Sequence, residues 1–123
     1  MKTDIKNRAD IERLVYAFYL KIKADKTISY FFDEVAQVEW EKHTPKVCDF
    51  FENILFYSGN YEGNPMVTHE KLSQKSKVTA AHFNLWNHYF ISTVDELFVG
   101  VKAEEIKERA IKIAAAMMYK TLA

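Results

Sequence analysis

HTPKVCDFFENILFYSGNYEGNPMVTHEKL, residues 43–72, is the stretch on which the reading of this chain turns. Thr44-Pro45 reads as an N-cap residue followed by proline at the first helical position, where the missing N–H costs nothing. Val47, Phe50, Phe51, Ile54 and Leu55 then supply one apolar face of a helix expected to end near Tyr57. Ser58 to Asn64, with Gly59 and Gly63, reads as a loop. Asn64-Pro65 repeats the cap-then-proline signal and opens a short helix, to about Leu72, that carries His69. His43 therefore stands ahead of one helix start, and His69 sits in a short helix with a loop on either side.

Upstream, Ile11, Leu14, Val15, Phe18 and Ile22 recur at helical spacing, with Tyr19 on the same stripe and Asp10 able to cap or charge the start. Ile28 to Phe32 is too short for a long helix and too aromatic for a solvated loop. Downstream, Phe83, Trp86, Phe90, Val94 and Leu97 mark a long helix that Gly100 ends. Ile106, Ala110, Ile113 and Met117 mark the last, with Glu104 and Glu105 at its start and Lys120 near its end, both favourable to the helix dipole.

Composition agrees with a helical domain. The chain has 123 residues, 49% hydrophobic, with only three glycines and two prolines, too few turn residues for a sandwich or barrel. One domain, residues 1–123, is expected, with no repeat or linker. Seventeen basic and seventeen acidic residues cancel, and no basic patch interleaved with aromatics suggests nucleic acid. No stretch approaches the roughly 20 apolar residues of a membrane span, and the amino terminus has mixed charge where a secretory signal needs an apolar run. A cytoplasmic monomer is the expectation.

Among chemistry-bearing residues, His69 has two readings, a surface histidine on a connecting helix or a neutral imidazole ligand for iron. Tyr19, on a buried face, needs a hydrogen-bond partner, as does the Trp86 indole. Each could find a core carbonyl. Two donors on different helices converging on one space suggest instead a shared acceptor, such as an oxygen atom of a bound diatomic. His43 is either a solvent-facing helix-entry residue or a gate over iron. His82 and His88 fit half-exposed positions on an amphipathic helix, although His82 could reach a haem edge. Cys48, on an apolar helix, reads as an inert buried thiol more than a thiolate ligand. No HExxH, CxxC or glycine-rich phosphate loop is present, and no catalytic residue is assigned.

Taken together, Phe18-Tyr19, Phe32, Trp40-x-x-His43-x-Pro45 running into Phe50-Phe51-Glu52-Asn53, Gly59-x-Tyr61-x-Gly63-x-Pro65-x-x-x-His69 and His82-Phe83-x-x-Trp86 resemble the truncated haemoglobins, and within them the third group. The likeness runs from about Ile11 to Tyr119 and implies an all-α fold, the two-over-two helical sandwich of a truncated globin. It implies His69 as the proximal iron ligand and Phe32 against the porphyrin. Tyr19, His43 and Trp86 would line the distal side, with Val47 and Phe51 beside them, and Leu72 and Phe83 complete the cofactor-binding set. Lys46 and Tyr61 are candidates for the haem propionates. The implied cofactor is haem b, held non-covalently because no CxxCH motif exists. The implied ligands are O₂, CO and NO, with tight O₂ retention and NO dioxygenation or peroxide turnover supported by a reductase partner. A haem-based gas sensor acting through a partner protein is the alternative.

Overall fold

The computed structural model describes residues 2–30, 39–57 and 80–122. Helix α1 spans Arg8–Ala24, and its start is capped by Asn7, whose side chain accepts from the Asp10 N–H. Asp10 reaches back to accept from the Lys6 N–H at 2.8 Å. The two side chains thus share the orphan donors of the first turn, and Asn7, not Asp10, is the cap. The expected stripe is the one that packs: Ile11, Leu14, Val15, Phe18, Tyr19 and Ile22 are all buried. Asp25 ends α1 and starts the five-residue α2, Lys26–Tyr30, by accepting from the Thr27 N–H. Its carboxyl also accepts from the Tyr89 hydroxyl, and that bond, against the cost of burial, holds it below the ordinary carboxylate range.

Helix α3 spans Trp40–Phe56, one turn longer than the Thr44-Pro45 signal suggested, so Pro45 lies inside it and His43 in its first turns. Proline forfeits one intrahelical bond there, a local cost that tertiary contacts of Trp40 and His43 offset. Tyr57 closes the helix in the left-handed conformation, φ 56°, with its N–H on the Asn53 carbonyl. Helices α4, Ala80–Leu97, and α5, Val101–Leu122, complete the described chain. Layer one is α1 on α3 and layer two is α4 on α5, joined by α1 on α4 and α3 on α5. This is the expected two-over-two sandwich. Among the described residues no helix is long and apolar enough to cross a membrane.

Aromatic rings bind the layers. Phe18 of α1 meets Phe90 and Trp86 of α4 edge-on at 5.3 Å, while Phe51 of α3 stacks on Phe90 at 5.0 Å and Trp86 on Phe90 at 5.5 Å. Pairs of this geometry add about 0.5–1.5 kcal/mol each beyond area burial. Phe18, Phe51 and Phe90 are among the largest fully buried side chains.

The start of α5 is capped from the far end of the chain. Gly100, at φ 145°, has no side chain to offer, and a Cβ there would lie 2.4 Å from the Asp4 carboxyl carbon. Asp4 fills that space and accepts from the backbone N–H groups of Lys102 and Ala103 at 2.9 and 2.8 Å. Burial raises its pKa, but these bonds and the nearby Lys102 charge outweigh burial and hold it below its ordinary 3.8. Because the native pKa is depressed, the stabilisation is present above the ordinary value and is lost as pH falls through the native one. Asp4→Ala is therefore expected to lower unfolding free energy by about 0.5–2 kcal/mol at neutral pH. Denaturant melts of both proteins from pH 7 to 2 should show the gap closing as the acid limit is approached.

Candidate functional site

Tyr19 lies on the inner face of α1 at 5% exposure, and its hydroxyl is 3.0 Å from Nε2 of His43 on α3. Burial, with a smaller contribution from the neighbouring Cys48, pushes the phenol pKa well above its usual 10, so Tyr19 is a neutral hydroxyl at any physiological pH. The direction of the bond depends on the imidazole tautomer. With the proton on Nδ1, the phenol donates to Nε2. With the proton on Nε2, the imidazole donates to the phenol oxygen and leaves the phenolic hydrogen for a third group.

Trp40, which carried the sequence pattern but had no assigned role, packs on both members. Its ring meets Tyr19 at 4.9 Å and His43 at 6.0 Å, both edge-on, and the Lys23 ammonium lies 4.5 Å over it. Its position three residues before His43, one turn back on the same helix face, was the signal that could have found it. Once α3 begins at Trp40, that turn is helical and the two rings share a face.

Trp86 is half-buried on α4 and packs against Phe18 and Phe90. Among the described residues no hydrogen bond engages its indole N–H. Tyr19 and Trp86 both contact Phe18, from opposite partners of the layer crossing. The interior forms two clusters among the described residues, the main core and a smaller one of Phe83 and Ala114, and Trp86 borders both. Phe51 is buried in the main core and Val47 is half-buried at its margin. His82 is half-buried, and His88 is exposed with its ring near Tyr89. Phe32, Tyr61, His69 and Leu72, and the short helix expected from Pro65 to Leu72, lie outside the described residues.

A family model described as bacterial-like globin matches residues 4–120. The chain belongs to the bacterial-like globin family. A group 3 truncated hemoglobin of Campylobacter jejuni is 27% identical over 126 residues, covering 98% of this chain and 97% of that protein. The crystal structure of a group III truncated hemoglobin from Campylobacter jejuni superposes with a TM-score of 0.87 at 23% identity, over 98% of this chain and 95% of that one. A 2/2 hemoglobin from Synechococcus, in the cyanomet state with covalently attached heme, gives 0.76 at 21% identity over 94% and 92%. THB1 of Chlamydomonas reinhardtii gives 0.70 at 27% identity over 92% and 90%. The globin thus has the truncated two-over-two fold, and its relatives support the haem-binding class.

A flat apolar group with a polar ligand fits the donor set: one hydroxyl already oriented by an imidazole, one indole N–H without a partner among the described residues, and apolar rings around them. Cys48 does not fit the thiolate role. It is buried in α3, and burial pushes its thiol up to about 11 despite the nearby Arg8 charge. At pH 8 only about one thiol in a thousand is then ionised. A chromogenic disulfide reagent should label Cys48 in the folded globin at least about a hundredfold more slowly than in the unfolded chain, where the thiol is exposed and nearer its ordinary pKa.

Proposed function

We propose that this globin holds haem b non-covalently and binds O₂ and the related diatomics CO and NO, retaining O₂ tightly. In this reading His69 would hold the haem iron through an imidazole nitrogen, Phe32, Val47, Phe51, Leu72, Phe83 and Trp86 would form the apolar wall, and Tyr19, His43 and Trp86 would face the ligand. When bound, haem supplies an iron centre that takes up a diatomic ligand and shifts electron density onto it. The observation that carries the proposal is the pairing of the buried Tyr19 with the half-buried His43, a hydroxyl and an imidazole held together across two helices among aromatic rings.

His43, a residue of a helix that starts at Trp40, has less backbone freedom than the Thr44-Pro45 reading implied, and its role is to position a proton. With Nε2–H donating to the Tyr19 oxygen, the phenolic hydrogen is aimed at the ligand. Polarised by the imidazole, it makes a stronger donor. Trp86 supplies the second donor. Hydrogen bonds to a ligand that gathers negative charge contribute about 1.5–3 kcal/mol each. Two of them slow O₂ release by roughly a hundredfold or more, at about 1.4 kcal/mol per factor of ten. CO gathers little charge and is nearly indifferent to the same donors. Slow release favours a role in which retained O₂ is consumed, for instance by NO with a reductase restoring the iron, over one in which it is delivered.

Stopped-flow measurement of O₂ and CO dissociation tests this. Tyr19→Phe and Trp86→Phe should each accelerate O₂ release by about tenfold or more and leave CO release within a few-fold. In a double-mutant cycle, Tyr19→Phe and His43→Leu should couple by about 0.5–3 kcal/mol, because the second residue acts through the first, whereas Trp86→Phe and His43→Leu should be close to additive. Equal effects on both gases would reduce these residues to packing.

The cofactor assignment is tested separately. Acidic butanone should extract the haem completely, since the lone Cys48 is buried and no CxxCH motif offers a thioether link. His69→Ala should lose haem or give a site rescued by added imidazole; full retention with an unaltered ferrous-CO spectrum would remove His69 from the iron.

A further inference from the structure

Tyr19 and His43 can share their proton in two ways, and O₂ retention uses only one of them. In the other tautomer, with the imidazole proton on Nδ1, the phenol donates to Nε2 across 3.0 Å. A phenol bonded to a base in this sense can lose an electron and a proton together. Tyr19 has no easier route. Burial keeps it neutral, so no phenolate forms first, and electron loss alone would leave a positive charge among Phe18, Trp40 and Cys48. Tyr89 also donates to a base, the Asp25 carboxylate, but that carboxyl is held below its ordinary range and is a correspondingly poor proton acceptor.

Trp40 is the next oxidisable ring. It meets Tyr19 edge-on at 4.9 Å and is half-buried, a position from which an oxidising equivalent could leave for the surface. The Lys23 ammonium lies 4.5 Å over the same ring. With the indole intact that contact is attractive, because the cation meets the negative face of the ring. An indole that had lost an electron would be repelled instead. Lys23 therefore raises the cost of moving the electron hole from Tyr19 to Trp40.

We propose that Tyr19 is redox-active, giving up one electron, and its proton to His43, during the reduction of hydrogen peroxide, while Lys23 confines the radical to Tyr19; this role rests on the haem-binding reading above. Breaking the O–O bond and bringing both oxygens to the oxidation level of water takes two electrons, one drawn from the haem iron and one from Tyr19. The phenolic proton passes to Nε2, which lies within hydrogen-bond reach of it, and leaves a neutral phenoxyl radical bonded to an imidazolium. Solvent supplies the protons that the peroxide oxygens take up. A small one-electron reductant then restores the phenol as Nε2 returns its proton.

Freeze-quench electron paramagnetic resonance of the ferric, haem-loaded chain mixed with equimolar hydrogen peroxide tests this. The expected result is a tyrosyl signal whose splitting narrows with ring-deuterated tyrosine, absent in Tyr19→Phe and kept in Tyr89→Phe. His43→Gln retains a hydrogen-bonding side chain without a base and should slow radical formation by about a hundredfold. Lys23→Met should move the radical to Trp40, read as a tryptophanyl signal and as oxidised Trp40 in peptide mass spectra. The Soret band and the ferrous-CO spectrum verify that each variant keeps its haem site. A haem-loaded wild-type chain that forms no tyrosyl radical, a signal unaltered in Tyr19→Phe or His43→Gln, or a radical that stays in place in Lys23→Met overturns the proposal and leaves haem binding standing. A wild-type chain with no Soret band overturns both.

Discussion

Phe18 against Phe90 is the contact on which the rest of the structure depends. It joins α1 to α4 and so one helix layer to the other, and Phe51 of α3 stacks on the same Phe90 ring. Each ring is buried, and their edge-on and stacked geometries are those that aromatic quadrupoles favour. Each residue of the proposed distal set is positioned relative to this contact. Tyr19 follows Phe18 directly, Trp86 lies one turn before Phe90, and His43 and Val47 stand two turns and one turn before Phe51 on α3. A rigid aromatic centre therefore fixes where a hydroxyl, an imidazole and an indole come to rest.

Polar groups in this globin act mainly as tethers. Asp4 caps α5 from 98 residues away along the chain. Arg8 ties α1 to α3 through Asp49, Glu52 and the Pro45 carbonyl, and Lys21 ties α1 to α4 through Ser92 and Glu96. These surface pairs are individually weak, and their value lies in register more than in energy. The Tyr19–His43 bond is of another kind, because it is made where water is scarce and its proton can face either way.

That difference reorders the functional argument. Seen as a residue ahead of a helix, His43 would be a swinging gate; seen as a helical residue braced by Trp40 and bonded to Tyr19, it becomes, in the proposed reading, the group that sets which atom carries the proton presented to a ligand. The truncated-globin fold sets the scaffold, and this pair sets the polarity of the space within it.

The sequence by itself determined the helical class, the buried stripe of α1, the apolar face of α3 around Phe51 and Leu55, and the end of that helix at Tyr57. These follow from 3.6-residue periodicity and local punctuation, both written in neighbouring residues. Tyr19 was legible as a buried ring donor, and Trp86 as a ring on the inward stripe of its helix, half-buried in the structure, for the same reason. Tertiary structure alone decided that α3 begins at Trp40, because the packing of that indole on Tyr19 outweighs the local start signal of Thr44-Pro45. It also decided that Asp4 caps α5 and that His43 meets Tyr19. In each case the partner lies on another element, and a hydrogen bond or ring contact across such a distance in sequence leaves no periodic trace.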